Sequence, residues 1–121
     1  MIQITAQMRI LLEVDRVDFR RGIDGLAALC RAALQSDPQD GTIFVFCGRS
    51  RQAIKILSYD GQGFWLCQKR LSQGRFHAWP KDSSTSRPLD PHQLHALLWN
   101  GDPTAQHTAP LWRPIDVKTM A

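Results

Sequence analysis

The sequence predicts a single α+β domain: a three- or four-stranded antiparallel sheet packed on one main helix, with a short helix near the C-terminus. Three observations predict it. The 121 residues and 43% apolar content suit one globular domain, able to bury roughly two thirds of its unfolded-chain surface. Residues 42–71 alternate and turn as strands do, whereas 23–35 repeat at helical spacing. No internal repeat or second compositional block is present, so residues 1–99 are read as the domain. Residues 100–121, with three prolines and no clear period, are read as an irregular tail carrying Leu111 and Trp112.

The elements follow in order. "RILLEV" (9–14) reads as a first strand and "DRVDFRRG" as a loop ending in Gly22. In "IDGLAALCRAALQ", Ile23, Leu26, Ala27, Cys30, Ala33 and Leu34 fall on one stripe, and Asp24 suits the positive end of the helix dipole. "SDPQDG" (36–41) ends that helix in a turn. "TIFVFC" is apolar on both faces, as a central strand should be. "AIKILSY" alternates, with Ile54 and Ile56 on one face and Lys55, Leu57 and Tyr59 on the other. "DGQG" (60–63) is hairpin chemistry, because Asp-Gly accepts the positive φ of a tight turn. "FWLCQKR" is the next strand, and "RFHAW" (75–79) a short further one closed by Pro80. "KDSSTSRP" is polar loop. "LDPHQLHALLWNG" is a short helix with Asp90 as N-cap, Pro91 in the first position and Gly101 as C-terminal cap.

Charge is placed unevenly. The net charge is +4, yet residues 42–81 alone carry +6 and the remainder −2. Such a basic middle points to acidic partners: nucleic acid, or a carboxylate-rich protein face. No run of eighteen apolar residues suggests a membrane span, and no basic n-region precedes an apolar stretch. Three scattered cysteines read as reduced thiols of a cytoplasmic protein.

The motifs "VDFRRGIDGLAAL" and "IFVFCGRSRQAIKILSYDGQGFWLCQKRLSQGRFHAWP" together resemble the small accessory protein TnpB of IS-sixty-six type bacterial insertion sequences. The matching positions are Asp18 to Leu26, Ile43 to Arg49, Ile54 to Leu57, Asp60 to Phe64, Lys69 to Phe76, and Trp79-Pro80. The resemblance implies a role beside a separate DDE-type transposase in support of transposition. It does not by itself imply a chemical mechanism.

Catalytic readings lack partners. The lone Glu13 precedes all ten Asp, so no D…D…E order for divalent metal exists. There is no C-x-x-C pair and no G-x-S-x-G elbow. His92 and His95 are read as a solvated helix face. No catalytic residue, metal or cofactor is therefore expected. Two binding readings remain. Arg20, Arg21 and Gly22 stand at the start of a helix and could hold an anion, or the arginines could pair with Asp15, Asp18 or Asp24. Arg49, Arg51, Lys55, Trp65, Lys69, Arg70 and Arg75 would meet DNA if the two strand faces coincide, the aromatic ring taking unpaired bases. The alternatives are a solvated face, or a face that docks on the transposase.

Overall fold

The computed structural model describes residues 7–102; the tail read over 100–121, with Leu111 and Trp112, lies outside the described residues from position 103 on. The element order is β1 (Ile10–Glu13), α1 (Ile23–Ala32), β2 (Ile43–Cys47), β3 (Ala53–Tyr59), β4 (Phe64–Arg70), β5 (Ser86–Leu89) and α2 (Pro91–Leu98). The α+β class holds, and β2, β3 and β4 form the expected antiparallel meander. The sheet has five strands in the order β4-β3-β2-β1-β5. It is mixed, because α1 carries the chain over to a β2 that runs parallel to β1.

Two readings of the middle are corrected. "RFHAW" is not a strand: Phe76 and Trp79 turn inward and are buried. The fifth strand lies instead at the end of the segment read as polar loop and the first residue of the one read as helix, where Ser86–Leu89 pairs antiparallel with β1. Pro88 is tolerated there because β5 is an edge, and its missing N–H would have faced outward.

Both faces of the sheet are covered, which is why "IFVFC" is apolar throughout and wholly buried. On one face, Leu11, Phe44, Phe46 and Leu57 pack with Leu26, Ala27 and Cys30 of α1. On the other, Ile10, Leu12, Ile43, Val45, Ile54 and Ile56 pack with Leu94 and Leu97 of α2 and with Phe76 and Trp79. The indole of Trp79 donates to the Glu13 carbonyl at 3.0 Å and fixes the 76–79 segment to β1.

The caps show how local sequence ends each element. Asp90 accepts from the Gln93 N–H at 2.7 Å, and the Gln93 side chain accepts in return from the Asp90 N–H at 2.9 Å. This is a capping box. At the other end Asn100, at φ 61, takes the left-handed position predicted for Gly101. Asn100 N–H then donates to Leu97 O and Gly101 N–H to Ala96 O, closing a Schellman motif. Replacing Asp90 with Ala is expected to cost about 1 kcal/mol of stability in urea unfolding.

Candidate nucleic-acid interface

Strand direction decides where the charges go. The β1–α1 loop (14–22), the β2–β3 turn (48–52) and the β4–β5 connection (71–85) all leave from one end of the sheet. Together with the last residue of β4 they carry Arg16, Arg20, Arg21, Arg49, Arg51, Arg70, Arg75 and Lys81. Three acids, Asp15, Asp18 and Asp82, accompany them. The loops at the opposite end, 33–42 and 60–63, together with the α2 cap, hold Asp37, Asp40, Asp60 and Asp90 and no base. The sheet is thus polar along its strands: one end is predominantly basic and the other predominantly acidic, with Arg9 just before β1 the base at the acidic end.

The basic end is held together by backbone contacts. Val17 pairs with Gly48 in a parallel bridge. Its N–H donates to Cys47 O at 2.9 Å, and Arg49 N–H donates to Val17 O at 3.2 Å. Phe76 N–H donates to Arg51 O at 2.8 Å, drawing in the third loop. Gly48 is required by close approach, since a Cβ there would stand 2.9 Å from the ring of Phe19. Two grooves open at this end. One, of about 200 Å³, is lined by Glu13, Arg16, Asp18, Arg21 and Arg49 among others. The other, of about 370 Å³, runs along Arg16, Trp79, Pro80 and Lys81.

Arg20 does not stand open to an anion. Its guanidinium grips the Asp18 carboxylate, with the closest contact 2.7 Å. Arg49 lies 3.9 Å from the same carboxylate. Hydrogen bonds from Arg20, more than the charges of Arg20 and Arg49, hold the Asp18 carboxyl well below the usual carboxylate range. The ion-pair alternative therefore describes Arg20, while Gly22 is the extended N-cap of α1 with no side-chain cap. Arg21 is exposed, and its carbonyl accepts from Lys55. The Arg49 side chain remains 73% exposed.

The sheet cations and Trp65 do not share one face. The register sets Trp65, Cys67 and Lys69 opposite Ser58, Ile56 and Ile54, on the α2 side. Lys55 shares the α1 side with Leu57. It is buried, its Nζ donating to Phe19 O at 3.0 Å and Arg21 O at 3.3 Å, and it stands 4.8 Å from the Phe19 ring centroid. Lys69 donates to Leu98 O at the end of α2 and lies 4.8 Å from the Trp99 ring centroid. Burial lowers its pKa. Trp65 is 49% exposed, but its indole donates to Asp60 at 2.7 Å, at the acidic end. What the fold brings together is Arg49, Arg51, Arg70 and Arg75, joined by Arg16 and Lys81, which were not singled out as contacts. The missed signal was the parallel β1–β2 pair, which sets loop 14–22 beside 48–52.

Glu13 is also unforeseen. It is 3% exposed, and its Oε2 has no hydrogen-bond partner among the described residues. Burial, with a smaller push from Asp15, raises its pKa to about 7. Cys30 and Cys47 are buried thiols whose pKa is raised by burial, that of Cys30 to about 12. Among the described residues no group of three or more His, Cys, Asp or Glu could hold a metal ion, and no helix is long and apolar enough to cross a membrane.

Comparison with known proteins agrees with the motif reading. The family described as IS66 Orf2 like protein matches residues 8–108. The chain is 37% identical over 110 residues to the uncharacterized protein y4hO of Sinorhizobium fredii (strain NBRC 101917 / NGR234), covering 91% of this chain and 93% of that one. It is 34% identical over 117 residues to the uncharacterized protein y4jC of the same strain, covering 97% and 99%. No solved structure matches significantly. The chain belongs to the IS66 Orf2-like family, the TnpB-like accessory proteins of IS66-type insertion sequences.

Proposed function

We propose that the protein supports transposition by holding DNA against the basic end of its sheet, without catalysing a reaction itself and acting in the cytoplasm. The observation that supports this reading is the gathering of Arg49, Arg51, Arg70 and Arg75 at one end while the acids of three connections collect at the other. Exposed guanidinium groups neutralise phosphates and release counterions. Among the described residues no helix-turn-helix or finger geometry is present, and the proposed contact is with the phosphate backbone.

Binding of duplex DNA by the purified protein is expected to weaken steeply with salt. Each of Arg49, Arg51, Arg70 and Arg75 that meets a phosphate contributes about one unit to the slope of log K against log salt, so alanine at all four lowers that slope by several units. Lys55→Ala and Lys69→Ala leave the slope unchanged if folded. A fluorescence titration showing no affinity at low salt would remove this reading.

A second reading is an adaptor that docks on the element's DDE-type transposase. It is favoured by Trp99, a large aromatic left 56% exposed at the end of α2. It expects capture of the transposase to survive nuclease treatment and to weaken in Trp99→Ala. Association lost on nuclease treatment would eliminate it.

A further inference from the structure

The two edges of the sheet are defended differently. β5 is four residues long and contains Pro88. That is how an edge avoids pairing with another chain. β4 is seven residues long, with no proline and no glycine. Its apolar side chains are left partly uncovered: Phe64, Leu66 and Cys67 are half-buried and Trp65 is 49% exposed, while Gln68 and Arg70 are exposed. Among the described residues nothing pairs with its outer side.

The direction of its backbone groups follows from the ladder. Asp60 N–H donates to Gly63 O, and Leu71 N–H donates to Gln52 O, at the two ends of the β3–β4 pairing. In the alternation of an antiparallel pair, Trp65, Cys67 and Lys69 therefore exchange hydrogen bonds with β3. The N–H and C=O groups of Phe64, Leu66, Gln68 and Arg70 point outward.

We infer that β4 pairs antiparallel with β4 of a second copy of this chain, about a two-fold axis at Cys67. In this register Phe64 faces Arg70 of the second copy, Trp65 faces Lys69, and Leu66 faces Gln68. The aromatic end of each strand meets the cationic end of the other, which is favourable cross-strand pairing. All outward groups find partners. A shift by one residue would set outward groups against inward ones, and a shift by two would leave two residues of each strand unpaired. The two sheets become one continuous sheet, and the two basic ends point in opposite directions.

The register makes one close contact checkable. Cys67 meets its own copy at a non-hydrogen-bonded position, where Cα atoms are about 4.5 Å apart, within the range a disulfide spans. The full chain is expected to run at roughly twice the 13.7 kDa of one chain in light scattering at micromolar concentration. Diamide, which takes two hydrogens and two electrons from two thiols, is expected to link the copies. Cys67→Ser abolishes the link, whereas serine at buried Cys30 or Cys47 does not. Gln68→Pro removes an outward N–H and no bond to β3, so it gives a folded monomer by circular dichroism and light scattering. A chain that stays monomeric with no Cys67 link overturns the inference, as does a dimer that persists in folded Gln68→Pro.

Discussion

Folding stability is expected to fall by about 3 kcal/mol as pH rises from about 4 to about 8, and Glu13→Gln is expected to abolish most of that fall. The cause is a carboxyl buried at the end of β1, with one oxygen unpartnered among the described residues. Its pKa rises from 4.5 to about 7 on folding. The sign follows from proton binding. Below 4.5 the group is protonated in both states, and its contribution is at its most favourable. Between 4.5 and about 7 the folded chain keeps a proton that the unfolded chain has released, so each step up in pH favours unfolding. Above about 7 the full penalty applies, because ionised Glu13 must stay buried, beside Asp15. The perturbed carboxylates Asp18, Asp60 and Asp82 shift the other way and act below 3.8, outside this window. Urea unfolding of both proteins at pH 5 and pH 8 checks the expectation. A wild-type midpoint that does not move between them would contradict the burial account.

Lys55→Met is expected to destabilise the fold by about 2–3 kcal/mol and to loosen the β1–α1 loop. The ammonium is the only described donor to two carbonyls of that loop, those of Phe19 and Arg21, and it lies over the Phe19 ring. Met preserves the stem's volume but leaves both carbonyls without this partner. The same loop supplies Arg16, Arg20 and Arg21 to the basic end, so under the proposed DNA-holding function its release would change affinity indirectly. Hydrogen exchange separates this from a direct contact. The amides of Val17 and Arg49, which tie the loop to β2, are expected to lose protection while those of β3 keep it. A Met variant of unchanged stability, with Val17 still protected, would show that the two hydrogen bonds contribute nothing net.

These residues show how far sequence reasoning reached. Alternation along "AIKILSY" placed Lys55 opposite Ile54 and Ile56 correctly. It could not show that Phe19, 36 positions earlier, would come to lie over that lysine. Period alone cannot separate a strand face open to solvent from one covered by a loop of distant sequence. Glu13 had the same ambiguity: a carboxylate at a strand end reads as solvated until α1 is laid across it. "SRPL" carries little strand signal of its own, and its state comes from pairing with β1.

The sequence by itself determined the elements whose cause is local. Turn chemistry at Asp60-Gly61, the capping box from Asp90 to Gln93, the apolar "IFVFC" strand and the α1 stripe each act within a few residues. The ordered motifs likewise sufficed to indicate the family. Only the tertiary structure decided the parallel β1–β2 crossover, the covering of both sheet faces and the end of the sheet at which the arginines meet. Those depend on strand direction, which is set by burial of α1 across the sheet rather than by any local propensity. That is why the candidate interface lies at an end rather than on a face: the register sends Lys55 and Lys69 to opposite sides, while the loops bring Arg49, Arg51, Arg70 and Arg75 to one end.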